Sequence, residues 1–80
     1  MKTAVALKYS TELPAPVIVG KGKQAMARRL IDVARDLGIP VVEERGLAEM
    51  LVEFDTGDYI PEEVYEVVAN ILIFIQQVDL

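Results

Sequence analysis

Two glycines and two lysines alternate at residues 20–23, and of all the side chains in this sequence they are the best placed to hold an anion. This run follows the apolar residues Val17–Val19 and precedes an amphipathic stretch, which predicts a strand-to-helix turn. Free backbone amides and a helix dipole favour an anion at such a turn. A Walker loop would need Ser or Thr after Lys23, and a dinucleotide fingerprint would need a third glycine where Ala25 stands. The spacing favours a tight turn, with a small anion- or nucleotide-binding domain using Gly20–Lys23 as the alternative.

The sequence lacks side chains that enzymes often use as nucleophiles, general bases or metal ligands. Its 80 residues include no Cys, His or Trp. Disulfides, thiolate nucleophiles, imidazole bases and Cys/His zinc sites are therefore excluded, and Ser10, the only serine, has no histidine to activate it. The carboxylates between residues 43 and 58 do not have the spacing of a calcium loop, so they indicate a solvated acidic face. We expect no catalytic residue, metal or cofactor.

Charge is divided between the two halves of the sequence. Residues 1–35 carry a balance of +5 and residues 36–80 a balance of −10, which gives the net charge of −5. We expect the halves to attract each other in one folded domain over residues 1–80. A net acidic chain does not favour nonspecific nucleic-acid binding, so no specific nucleic-acid partner is predicted.

Hydrophobic periodicity predicts an α/β fold: a small mixed sheet of about three strands with flanking helices, in the order β-β-α-β-α-α. The strand, helix and strand in the middle of this order lie within about thirty residues, which predicts a parallel, right-handed βαβ unit. Gly38 is predicted to end the first helix in a left-handed conformation. The predicted strands are Thr3–Tyr9, Val17–Val19 and Ile39–Glu43, and the predicted helices are 24–37, Leu47–Leu51 and one that opens at Ile60.

The last predicted helix has a strong start signal, because Pro61 is followed by Glu62 and Glu63 at the positive end of the dipole. Its apolar residues cover more than one stripe, so it is either buried in the core or docked on a partner or a second copy. Its longest apolar run, Ile71–Ile75, is far shorter than the ~20 residues of a membrane span. No signal peptide is visible, and we expect a cytoplasmic protein.

Six short segments follow one another in a characteristic order between residue 4 and about residue 75: Ala4–Tyr9, Ala15–Val19, Lys21-Gly22, Gly38–Glu43, Leu47-Ala48 and Ile60–Tyr65. In this order they resemble the C-terminal cytoplasmic domain of the FlhB/YscU/SpaS family of flagellar and type III export switch proteins. The resemblance implies a small mixed sheet surrounded by helices, and association with a protein export apparatus.

Members of that family carry four membrane helices and a cytoplasmic domain that cleaves itself at an Asn-Pro bond, just before the strand that Ala4–Tyr9 resembles. Met1–Thr3 occupy the place of that loop here, and the only asparagine, Asn70, precedes an isoleucine. The family strand that precedes the cleavage loop is also missing from this sequence. We therefore expect an open sheet edge that accepts a strand of an export substrate, an export protein or a second copy.

The family also has an Asn and two prolines after its third strand, where this chain has Glu44, Arg45 and Gly46. The resemblance implies a non-catalytic protein-binding module, with export-apparatus proteins or exported substrates as partners, and with membrane association only through those partners. The predicted partner-binding residues are Pro14, Pro16, Lys21, Gly22, Lys23, Glu43, Glu44 and Leu47.

Overall fold

A two-stranded antiparallel sheet and three α-helices make up the fold of residues 2–78, the part of the chain that the structure, a computed structural model, describes. A 3₁₀ turn, Glu62–Val64, leads into the last helix. The elements in chain order are β1 (Thr3–Lys8), β2 (Val17–Lys23), α1 (Ala25–Asp36), α2 (Arg45–Leu51) and α3 (Tyr65–Val78).

The two strands pair with one extra residue in β2. Ala6 lies opposite Gly20, whereas Leu7 lies opposite Ile18, so Val19 has no partner in β1 and forms a β-bulge. Because side chains alternate along a strand, small residues collect on one face of the hairpin and larger apolar ones on the other. The small-residue face therefore allows a helix to approach the hairpin closely.

Helix α1 packs on the small-residue face. Ala27 of α1 is fully buried there. A Cβ atom added to Gly22 would lie only 2.9 Å from the Cβ of Met26 and 3.0 Å from its carbonyl carbon. No side chain fits between strand and helix at this point, so Gly22 permits the close approach of α1.

The apolar core lies on the opposite face of the hairpin. Its fully buried centre is formed by Ile18 of β2 and Leu51 of α2. Residues from every element except α1 complete this cluster, which is the main hydrophobic stabilisation of the domain. The buried members are Ile18, Leu51, Ile60, Val64 and Val68, and the half-buried residues packed on them are Val5, Leu7, Leu47, Phe54 and Leu72.

The segment that precedes α3 pairs with the free side of β2. The Ile18 N–H donates to the Asp58 carbonyl at 2.9 Å, and the Gly57 N–H donates to the Ile18 carbonyl at 2.7 Å. Val17 and Tyr59 form an isolated antiparallel bridge. The first half of β2 is thus paired on both sides, while β1 is the edge strand of the described sheet.

The structure corrects the prediction of a third strand at Ile39–Glu43 and of a parallel βαβ unit. These residues form no strand, and β1 and β2 are antiparallel. The segment is exposed along its length, and Pro40 lacks the amide donor that a ladder needs. Residues 57–60, rather than Ile39–Glu43, pair with the free side of β2. Strand β2 also continues to Lys23, so the glycine–lysine run lies within a strand rather than in a turn.

Two other predictions are confirmed. Gly38 follows α1 with a φ of 73°, the left-handed conformation that favours glycine at a helix end. The start signal at Pro61 is also correct, because the 3₁₀ turn begins directly after this proline and leads into α3. Within the described residues, no helix is both long and apolar enough to cross a membrane.

We predict that Gly22→Ala destabilises the domain by about 1–3 kcal/mol, because the new methyl group forces α1 away from β2. Gly46→Ala is the matched control, because a Cβ at Gly46 would meet no atom within 4 Å. Gly46 lies in α2, so this control should stabilise the domain by up to about 1 kcal/mol. Urea unfolding of both variants measures the two effects, and equal midpoints would contradict the close packing of α1.

Candidate protein-binding surface

Lys21 holds the end of α2 in place. Its ammonium group donates to the carbonyl oxygen of Val52 at 3.1 Å and to that of Phe54 at 2.6 Å. The carbonyl groups at a helix C-terminus have no partner within the helix and carry a partial negative charge, which a cation neutralises. Lys21 therefore ties the basic first half of the chain to the acidic second half.

Lys23 and Gly22 also have contacts within the domain. The ammonium group of Lys23 lies 3.6 Å from a carboxylate oxygen of Glu53, the one ion pair among the described side chains. Both groups are mostly exposed, so this pair adds little stability. Gly22 packs against α1. This geometry gives the glycine–lysine run a structural role and offers no support for the alternative of an anion site.

The eight residues predicted to bind a partner do not form one patch. Pro16 is buried, and Leu47 packs on the core. Pro14, Glu43 and Glu44 are exposed. Of the eight, Glu44 alone lines the groove described next.

An apolar groove of about 330 Å³ separates α3 from the segment that precedes α2. Residues spaced three and four apart share one face of a helix, and four such residues of α3 form one wall. The connecting segment forms the other wall. The lining residues are Val42, Glu44, Val67, Asn70, Ile71 and Phe74.

The groove exposes apolar side chains. Val67 is 43% exposed and Phe74 is 61% exposed, although both belong to a helix whose other face is in the core. The polar groups in the groove are one carboxylate and one amide. Within the described residues, no group of three or more Asp, Glu, His or Cys side chains is placed to hold a metal ion. This arrangement is suited to receiving apolar side chains.

Part of this surface was visible in the sequence. The apolar residues of the last helix exceed one stripe, and docking on a partner was one of the two alternatives for them. Val42 carried no such signal, because only the folded chain brings residues 39–44 next to α3.

An antiparallel hairpin between α1 on one face and α2 and α3 on the other, with an apolar groove beside α3, defines a small α/β domain. The sequence profile of the FlhB HrpN YscU SpaS family matches residues 1–75. The chain belongs to this family of export-apparatus proteins. The resemblance noted from its six segments is thereby confirmed.

Individual relatives agree with this assignment. The YlqH protein of Bacillus subtilis strain 168 is 38% identical over 80 residues, covering 99% of this chain and 86% of YlqH. The secretion system apparatus protein SsaU of Salmonella typhimurium strain LT2 is 40% identical over 78 residues, which are 95% of this chain but 22% of SsaU. A crystal structure of a mutated EscU/SpaS C-terminal domain superposes with a TM-score of 0.86 at 35% identity, covering 98% of this chain and 96% of that one.

The relatives therefore differ in length. This chain spans most of YlqH, whereas it spans about a fifth of SsaU. The solved C-terminal domain has nearly the same extent as this chain. The fold is thus that of the C-terminal domain of the export switch proteins.

We predict that Lys21→Met lowers the free energy of unfolding by about 1–2 kcal/mol, because two carbonyl groups at the end of α2 lose a charged donor. Lys23→Met removes the same charge from the same strand but breaks only an exposed ion pair, so its effect should stay below about 0.5 kcal/mol. Chemical denaturation of both variants makes the comparison. Equal losses would show that Lys21 does not anchor α2.

Proposed function

We propose that this chain is a non-catalytic, cytoplasmic protein-binding module of the flagellar or type III export apparatus. It holds a short apolar segment of an exported protein, or of an export component, in the groove between residues 42–44 and α3. The observation that carries this proposal is the set of apolar side chains that α3 leaves exposed in the groove.

The two faces of α3 support this role. The face formed by Val64, Val68 and Leu72, which begins in the 3₁₀ turn, packs in the core. The groove face presents Val67 and Phe74 to solvent instead. Burial of apolar surface contributes about 25 cal/mol per Å², so a partner that covers this face gains binding free energy that the isolated domain does not use. Exposed apolar surfaces of this kind are typical of protein interaction sites.

The identity of the relatives supports the cellular context. SsaU is a secretion system apparatus protein, and the FlhB of Helicobacter pylori, 42% identical over 67 residues, is a flagellar biosynthetic protein. The exported rod, hook or filament subunits of the same cell, and the other components of its export apparatus, are accordingly the partners to test first.

The chemistry of the side chains supports binding rather than catalysis. A chain without Cys or His has neither a thiolate nucleophile nor an imidazole base. The lysines of the glycine–lysine run contact α2 and Glu53, which argues against the alternative of an anion-binding function.

The outer edge of β1 provides a second route to the same function. Among the described residues, β1 pairs with β2 alone, so the backbone groups on its other side are available for strand addition. Exposed Lys2 and Lys8 flank this edge. Because like charges repel, an acidic extended segment of a partner fits this edge better than a second copy of β1 does.

We predict that Val67→Gln and Phe74→Gln each weaken partner binding tenfold or more while the domain stays folded, because both side chains are exposed and line the groove. Met50→Gln is the control, since Met50 is a comparably exposed apolar residue on α2 outside the groove. Fluorescence titration with purified rod, hook and filament subunits of the source cell measures the affinities.

A single result would refute the groove as the binding site. If a subunit binds the original chain and binds all three variants equally well, the partner occupies another surface. If no subunit and no purified export component binds the original chain, the protein-binding function itself is refuted.

A further inference from the structure

Helix α1, together with Leu37 directly after it, carries a largely exposed apolar stripe. Met26 is 61% exposed, Val33 is 47% exposed and Leu37 is 70% exposed, while Leu30 between them is half-buried. The face of α1 that packs on the hairpin is centred on Ala27, which is fully buried. On a helix of 3.6 residues per turn, the stripe lies beside this packed face and meets it at Leu30, which lies over Gly20.

The spacing of the stripe is that of a helix–helix contact. Its residues follow one another at intervals of four, three and four, which is the alternation of apolar positions in a coiled-coil seam. Eleven intervals at 1.5 Å give a stripe about 16 Å long. An α-helix of similar length is therefore the structure that fits it.

Two copies of the stripe form a symmetric contact when the second α1 lies antiparallel to the first. In that arrangement Met26 lies opposite Leu37 of the second copy, and Leu30 lies opposite Val33 of the second copy. The same pairs form a second time, because a twofold axis exchanges the two helices. One surface therefore serves both sides of the contact.

The charges beside the stripe have the same symmetry. Arg29 and Asp36 lie seven residues apart, so both fall on the same side of the stripe. The antiparallel arrangement brings Arg29 of each copy close to Asp36 of the other. Within the described structure neither side chain forms an ion pair, because the one ion pair there joins Lys23 and Glu53. A second copy supplies opposite charges where the single chain leaves them unmatched.

We propose that two copies of this chain associate through α1, antiparallel and related by a twofold axis, along the stripe of Met26, Leu30, Val33 and Leu37. The surface is small for a protein interface, so the association is a concentration-dependent equilibrium rather than an obligate dimer. Helix α1 and helix α3 lie on opposite faces of the hairpin. The groove of each copy therefore stays open, and a dimer presents two grooves to its partners.

Charge reversal tests this dimer directly. Sedimentation equilibrium over about 10 μM to 1 mM gives the dissociation constant, a range that brackets weak association. Arg29→Asp should weaken dimerisation about tenfold or more, because it places two carboxylates together at each end of the seam. The double variant Arg29→Asp with Asp36→Arg should restore the original affinity, because it exchanges the two charges. Arg28→Asp makes the same charge change away from the stripe and should have little effect.

A covalent test is possible because the chain has no cysteine. When Arg29→Cys and Asp36→Cys variants are mixed under mild oxidation, the mixed disulfide between them should form in preference to either same-variant disulfide. Arg28→Cys replaces Arg29→Cys in the control mixture. A chain that stays monomeric to 1 mM would overturn the proposal. So would a dimer that is insensitive to Arg29→Asp, since its contact would lie at the β1 edge or on α3.

Discussion

Strand β2 is the constraint on which the rest of the structure depends. It pairs with β1 on one side and with residues 57–60 on the other. One of its faces has no side chain at Gly22, so α1 approaches closely there, while its other face places Ile18 at the centre of the core. Lys21 then fixes the end of α2. A two-stranded hairpin is only marginally stable alone, and these contacts stabilise it.

The groove is a consequence of this arrangement. Because α1 and α2 lie on opposite faces of the hairpin, the chain between them has to pass from one face to the other. Residues 39–44 make this passage in an exposed, irregular conformation, and they bring Val42 and Glu44 next to α3. One face of α3 packs in the core, and residues 39–44 leave the other face accessible to solvent. The same packing that stabilises the domain thus leaves apolar side chains of α3 exposed in the groove.

Local sequence patterns correctly predicted those elements whose formation depends on residues close together in the chain. The alternation of residues 3–9, the glycine after α1 and the proline before α3 all act within a few residues, and the structure agrees with each. Ile39–Glu43 has the composition of a strand, but a strand also needs a partner, and residues 57–60 pair with β2 instead. The hydrogen bonds of Lys21 could not be predicted from the sequence either, because their acceptors lie 31 and 33 residues away. Both walls of the groove come together only through the tertiary fold.

The most direct test of the groove as a binding site is to titrate the ¹⁵N-labelled chain with a purified exported rod or hook subunit and to record which amide resonances shift. If the groove is the binding site, the largest shifts fall on Val42, Glu44, Val67, Asn70 and Phe74, and the amides of α1 change little. Shifts confined to α1 or to β1 would contradict the groove as the binding site. The absence of any shift with every exported subunit and export component would contradict the protein-binding function.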